Sequence, residues 1–543
     1  MRGSGAQDIS RVAVMWGALL CGLFGALFLG HAIATGNLKL VKFAAIAIVA
    51  MVSVLFVGKN YWLLIPLTLY LQGQILILPL PFSVAELGVL YASGMFGLHY
   101  AMKRVTFHGR ADWLDIVLWA NIVYMLTVYI RHPVGLNRFG GDLIGGRPYA
   151  AVGVAVLAYI VLSTQKITPR QAKWLPIVIS FPGILVGLIS TFTFFVPALA
   201  PVLYQIYSDF DITAYTLQEF QGQTIEFGRS RIGSLGNVGS QLFRLLLCYF
   251  DPAKLISPLS IIPFTLFGFA NIAILLSGFR ASLALSWLSF ALSCILRRRP
   301  AQIAVVAAAG LLLYAIAALG NGSIFTLPIT FQRTLSFLPG NWDHEAMRDA
   351  TGSTEWRIEM WKIAWNSPHY IQNKIFGQGF GFLASDLRFL QQTTAFGGQL
   401  QEQDTLAFFL IRGSFHSGPL SAIRVVGFVG MILFFILLGV ISVQGYQILQ
   451  KSRNTDYFPL CLWFSFVTLL FLPIYILVFG AYAEDFPRFI VFAGLLRLLK
   501  NSLLTPNPDQ LDTQSGSAVT STHETLTQPT QQQRLSPASR KLI

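Results

Sequence analysis

The residues of this chain best placed for chemistry are His416 and a group of arginines. Phe415-His416-Ser417 closes a long polar segment, and the hydrophobic run that follows carries Gly427-Phe428-Val429-Gly430. An imidazole at the lip of a membrane span titrates near neutral pH, so it suits a general base that takes a proton from an acceptor hydroxyl. Ser417 can orient the ring or cap the following helix. Arg229, Arg231, Arg280 and Arg357 stand near the ends of apolar runs or in the polar segments between them. A guanidinium fork matches phosphate oxygens two at a time, so several such groups together suit a lipid-linked pyrophosphate. Singly, each arginine also fits a snorkelling side chain or an ion pair, and His416 also fits a helix cap. Asp209-Phe210-Asp211 is the single Asp-x-Asp. Paired carboxylates can hold a divalent metal against a diphosphate, which keeps a metal-dependent transfer open as the weaker alternative. There is no phosphate loop, zinc spacing or serine nucleophile elbow.

Most of the sequence that positions these residues is apolar. Of 543 residues, 54% are hydrophobic and 11% charged, less than half the charged share of soluble domains. A bilayer core takes about 20 apolar residues per helix. The hydropathy pattern gives spans at about 12–34, 40–58, 61–79, 84–102, 114–130, 149–164, 174–195, 238–250, 256–277, 280–296, 302–320, 424–446, 457–480 and 486–499. The short 238–250 run and the crowded pair after it leave the count between 12 and 14. The fold class is therefore an all-α polytopic membrane protein, because only helices satisfy the backbone of such runs inside lipid.

The 38 Lys+Arg against 24 Asp+Glu point to the membrane rather than to nucleic acid. Alternate loops hold Lys59; Lys103, Arg104 and Arg110; Lys166, Arg170 and Lys173; Lys254; Arg297, Arg298 and Arg299; Lys451 and Arg453; and Lys500. That face reads as cytoplasmic, with both termini on it. Segments near 131–148 and 196–237, and a large one at 321–423, then lie outside. The chain divides into a first transmembrane bundle (1–320), a large outer loop with amphipathic helices (321–423) between the eleventh and twelfth spans, C-terminal transmembrane helices (424–499) and a polar, disordered cytoplasmic tail (500–543). Within the loop, Trp356, Met360, Ile363 and Ala364 have helical spacing, with Ser353 or Thr354 as the expected cap and Pro368 as the stop. Gly377-Gln378-Gly379-Phe380-Gly381 reads as a glycine-rich turn. It follows no strand, so it is not a dinucleotide loop. Cys21, Cys248, Cys294 and Cys461 lie in apolar runs and read as small core residues.

These motifs together resemble the bacterial O-antigen ligases and polymerases. His416-Ser417, nine residues, then Gly427-Phe428-Val429-Gly430 is similar to the ligase pattern of His, a small polar residue, nine residues and Gly-x-x-Gly. Arg357 through Trp361, closing on Gly377, Gly379 and Gly381, resembles the family's Arg-x-x-x-Trp…Gly-x-Gly-Phe-Gly block. Ser277-Gly278-Phe279-Arg280-Ala281-Ser282 is similar to its Ser-x-Ser-Arg-Gly segment, with Gly278 and Ala281 as departures. Arg231 through Asn237 resembles a fourth block. The resemblance covers about 230–440, and the amino-terminal half matches only in hydropathy.

The resemblance implies a metal-independent, inverting glycosyltransferase of the bacterial inner membrane, with no cofactor. The donor would be a glycan on undecaprenyl pyrophosphate. The acceptor would be lipid A–core for a ligase, another glycan chain for a polymerase, or a protein serine. It also implies that Arg280, Arg357 and Arg231 bind pyrophosphate and that His416 sits at the acceptor on the periplasmic side. A flippase for the same lipid-linked glycan is the non-enzyme alternative. The partners expected are that donor, its acceptor and membrane lipids, without nucleic acid.

Overall fold

The computed structural model describes residues 58–103, 111–134, 143–212, 230–383 and 402–504, Pro79 excepted, and a few isolated positions besides. The first two expected spans, Arg229 and the tail beyond Leu504 lie outside the described residues.

The described chain is helical. Its helices are α1 (Leu64–Thr68), α2 (Val84–Ala101), α3 (Trp113–Arg131), α4 (Gly146–Ser163), α5 (Pro169–Phe195), α6 (Ala200–Ile206), α7 (Gly233–Tyr249), α8 (Pro252–Ile256), α9 (Ile261–Leu276), α10 (Arg280–Leu296) and α11 (Ala301–Gly320). They continue as α12 (Ile329–Leu335), α13 (His344–Asn366), α14 (Glu402–Arg412), α15 (Gly418–Ser452), α16 (Phe458–Leu477) and α17 (Tyr482–Leu504). One pair of two-residue strands, Leu143–Ile144 against Phe382–Leu383, is antiparallel. Six helices among the described residues are long and apolar enough to cross a membrane: α3, α4, α5, α11, α15 and α16. The protein is a helical, multi-pass membrane protein.

The helices start where local chemistry can satisfy their first amides. Ser83 with Glu86, Asp112 with Asp115 and Thr168 with Gln171 form capping boxes at the starts of α2, α3 and α5. Packing then selects small residues at the crossings. A Cβ on Gly494 of α17 would lie 3.0 Å from the Tyr159 backbone of α4, and one on Gly239 of α7 would lie 2.8 Å from Ala270 O of α9. Asn121 of α3 donates to Leu433 O of α15 at 3.0 Å, a bond between spans. The faces turned away from these contacts are apolar and open: Trp113 is 71% exposed and Ile130 is 74% exposed. Such faces are tolerable against lipid chains rather than water.

Several expectations need correction. The 61–79 stretch is not one long helix. A 3-10 turn (Gly58–Leu63) leads into α1, and the chain then bends, so that Val84 N and Ala85 N donate to Gly73 O and Leu71 O. Pro81 and Gly73 within or beside the run disfavour a continuous helix there. The amphipathic loop helix begins at His344, ten residues before Thr354. Its cap is Asp343, whose Oδ1 accepts from Glu345 N at 2.8 Å. Thr354 and Ser353 are interior residues, because the acidic cap and first turn lie upstream of the apolar pattern. The helix does end at Asn366, before Pro368. The helix expected from 424 begins at Gly418, and α17 continues past residue 500 to Leu504. Cys248, Cys294 and Cys461 are buried and free.

Candidate functional site

The glycine blocks prove to be two halves of one joint. α15 is interrupted at Gly427 (φ 69°, ψ −177°), a backbone conformation that is essentially glycine-only. The interruption frees backbone groups on both sides, and residues 374–379 take them up. Gln378 N and Gly379 N donate to Arg424 O and Val425 O, both at 2.9 Å, while Phe428 N and Val429 N donate to Lys374 O at 2.8 Å and Ile375 O at 3.2 Å. The two segments cross so closely that neither admits a side chain. A Cβ on Gly427 would overlap the Ile375 carbonyl and lie 2.5 Å from Gly377 N, while one on Gly377 would overlap the Val425 carbonyl and lie 2.6 Å from Gly427 N. Tyr124 of α3 adds a bond to Val426 O at 2.9 Å, and its ring fits because Gly430 has no side chain. The rest of the turn is anchored beyond the joint. Gly379 lies against Tyr149, Gly381 against Gly145, and the Phe380 ring meets Tyr149 edge-on at 4.8 Å. Gly377, Gly379, Gly381, Gly427 and Gly430 therefore serve structure.

This joint fixes the start of α15, and with it His416. His416 itself has φ 50°, a left-handed conformation that costs a non-glycine residue on the order of 1 kcal/mol and is commonest in Asn, Asp and His. Its neighbours hold it there. Phe415 is fully buried, and its carbonyl accepts from Trp361 Nε1 at 2.7 Å. Ser417 O accepts from Ser421 N at 3.0 Å as α15 begins. Ser417 occupies the cap position with no side-chain cap bond. The His416 ring is half-buried among Phe409, Phe479 and Trp356, at centroid distances of 4.9, 5.0 and 5.6 Å.

Arg357 stands on α13, one turn before Trp361, so both project toward the Phe415-His416 corner. Met360 and Ala364 bury the helix face beside them. Burial pushes the His416 imidazole down to about 4, with the Arg357 charge as the second cause. The ring is therefore neutral at pH 7 and, as it stands, a weaker proton acceptor than an exposed imidazole.

Arg231 and Arg280 form a second group. Ile232 N donates to Ser277 O at 3.3 Å, and the Arg231 guanidinium stands 5.8 Å from the Phe279 ring centroid. Gly278, at φ 75°, makes the turn that lets α10 start at Arg280. No acidic residue lies in the first turn of α10 and no side chain caps it. The amino end of a helix without an acidic first turn is positive in character and suits an anion. The link between the groups runs through α12 and α13. Thr334 Oγ1 donates to Leu275 O at 3.3 Å, and Arg333 pairs with Glu345 at 2.5 Å. Arg357 lies three turns further along α13 from Glu345, about 18 Å at 1.5 Å per residue.

The Asp-x-Asp is tied up differently. The Asp209 carboxyl interacts with Tyr207, and burial raises its pKa. Asp211 bonds through its backbone to Ser190 at 3.2 Å and Thr193 at 3.1 Å. Among the described residues no three His, Cys, Asp or Glu side chains gather as metal ligands.

Sequence reasoning missed Arg424. It is 7% exposed and donates to Ile411 O at 2.8 Å, tying α14 to the same corner. Its place at i+7 from Ser417 on an otherwise apolar helix start was the available sign. No family model matches the chain, and no curated protein matches it.

Proposed function

We propose that this membrane protein is a glycosyltransferase of the O-antigen ligase type, moving a glycan from undecaprenyl pyrophosphate to an acceptor hydroxyl. The observation that carries the reading is the pairing of a neutral His416 with Arg357 in one aromatic-walled corner at the end of the helix bundle. In the reaction, the acceptor oxygen attacks the anomeric carbon and the bond from that carbon to the phosphate oxygen breaks. The hydroxyl proton passes to a ring nitrogen of His416. Charge builds on the departing pyrophosphate, where arginine can stabilise it in the role a metal plays elsewhere. A diphosphate beside Arg357 would also offset the cation that depresses the histidine, raising the ring's basicity when the donor is bound. Arg231 and Arg280 are assigned to the same donor. In this reading the site faces the periplasm of a bacterial inner membrane, with both termini cytoplasmic.

The test uses the purified protein in proteoliposomes with a labelled lipid-linked glycan and three acceptors: lipid A–core, a glycan chain and a serine peptide. We expect transfer by wild type and its loss in His416→Ala and His416→Asn, the second of which keeps a residue that tolerates the left-handed backbone. Normal transfer by both variants at normal protein levels would remove His416 from catalysis. Movement of donor between leaflets without product would favour a flippase.

A further inference from the structure

Four helices that start or end beside the His416 corner or the Arg231–Arg280 group run to a second, distant polar site. α16 begins at Phe458 and ends near Phe479, which packs on His416. α15 runs from Gly418 to Ser452, α7 from the Arg231 group to Tyr249, and α10 from Arg280 to Leu296. At 1.5 Å per residue, α16 alone separates the two ends by about 30 Å. At this other end, a cavity of about 530 Å³ opens between α5, α7, α10, α16 and the turn that joins α15 to α16.

Four cations line it, namely Lys173, Arg297, Arg299 and Arg453, against two carboxylates, Asp251 and Asp456. Arg297 and Arg299 come from one basic run, and Lys173 and Arg453 are brought to it from two other parts of the chain. Arg297 is anchored by bonds to Leu247 O and Cys248 O at 2.9 and 3.0 Å and by the Phe458 ring at 5.0 Å, and its Nε is buried with no acceptor among the described residues. Arg453 is anchored on Leu296 O at 2.9 Å. Lys173 is exposed, and among the described residues the Arg299 side chain makes a long 3.7 Å pair with Asp251. The first turn of α16, with no acidic residue, forms part of the wall. One turn before Arg299, Ile295 is 58% exposed on the apolar flank. We infer that this cavity binds a phosphate anion, either the headgroup of an anionic phospholipid with its chains on that flank or a free phosphate compound.

The inference stands apart from the proposed transfer and its test reads binding alone. Wild type, Lys173→Gln/Arg299→Gln and Asp251→Asn are purified in nanodiscs of phosphatidylcholine with or without phosphatidylglycerol. Native mass spectrometry counts retained phosphatidylglycerol, and thermal melting is followed with inorganic phosphate against chloride at equal ionic strength. The two cations are replaced because neither caps a helix, so the fold is kept. In Asp251→Asn the amide oxygen can still accept from Ala253 N, as the carboxylate does at 2.9 Å. We expect retention by wild type, a loss on the order of tenfold in the double variant, and a gain in Asp251→Asn. Phosphatidylglycerol retention without a phosphate shift identifies a lipid headgroup, and the reverse identifies a free phosphate compound. If wild type shows neither, or the folded double variant matches it in both, the inference is overturned.

Discussion

Replacing Gly427 by alanine tests the joint on which His416 depends. The backbone there adopts φ 69°, ψ −177°, and an added Cβ would overlap the Ile375 carbonyl. The backbone conformation alone costs an L-residue about 1–3 kcal/mol. Relieving the overlap must move residues 374–379 and break some of four inter-segment bonds, each worth about 1 kcal/mol net. The sum is roughly 3–5 kcal/mol, a large share of the 5–15 kcal/mol typical of folded proteins. The control is Gly439→Ala in the same helix, where a Cβ meets nothing within 4 Å. Alanine there is expected to be stabilising by about 0.5–1 kcal/mol, because it has the better helix propensity. Thermal melting in detergent, read by fluorescence-detected size exclusion, should lower the midpoint for Gly427→Ala and hold or raise it for Gly439→Ala. Gly377→Ala should resemble Gly427→Ala. The double variant should cost less than the sum of the singles, since both open one joint. A Gly427→Ala melting curve superimposable on wild type would refute the argument.

Other outcomes follow from the same contacts. Arg357→Gln should lower kcat/KM for the donor by about 10²–10³, as loss of a transition-state donor does, and Arg357→Lys should recover part of it through charge alone. In the proposed reaction the neutral imidazole is the base, so transfer should fall as pH drops through the His416 pKa, and the acid limb of kcat/KM should lie near 4 in wild type. Arg357→Gln removes one cause of the depression and should move that limb up toward the ordinary value near 6.5. The same shift acts on stability. The folded ring binds fewer protons than the unfolded one between about 4 and 6.5, so melting temperature should fall as pH is lowered through that window, less so in His416→Asn. At the basic end, Asp115 pairs with Arg497 at 3.1 Å and accepts from Tyr159. Asp115→Ala should destabilise by roughly 3–5 kcal/mol, and Asp115→Ala/Arg497→Met should restore the part due to the unpaired buried charge but not the lost capping box, as read by melting.

Hydropathy alone placed most of the long helices, because a bilayer demands long apolar runs whatever their neighbours. α3, α10 and α11 begin or end within a residue or so of the spans read from composition. The approach fails where other forces set the ends. Asp343 starts α13 well before its apolar pattern, and the bend after α1 ends the helix inside a run that looks continuous. His416 and Arg357 were legible as residue types suited to chemistry. Their meeting was not, because 58 residues separate them and the contact runs through Trp361 and Phe415.

The sequence by itself determined that this is a helical membrane protein, where most of its long described helices lie, and which side chains have the chemistry to hold phosphate or move a proton. Those properties follow from composition and from the chemistry of single residues. Tertiary structure decided what the glycine blocks are for and what surrounds the histidine. Gly377 and Gly427 are required by each other's backbone, and the His416 ring is kept neutral by burial and by a cation from another helix. Both effects depend on distances between segments far apart in the chain, and no local pattern encodes those distances.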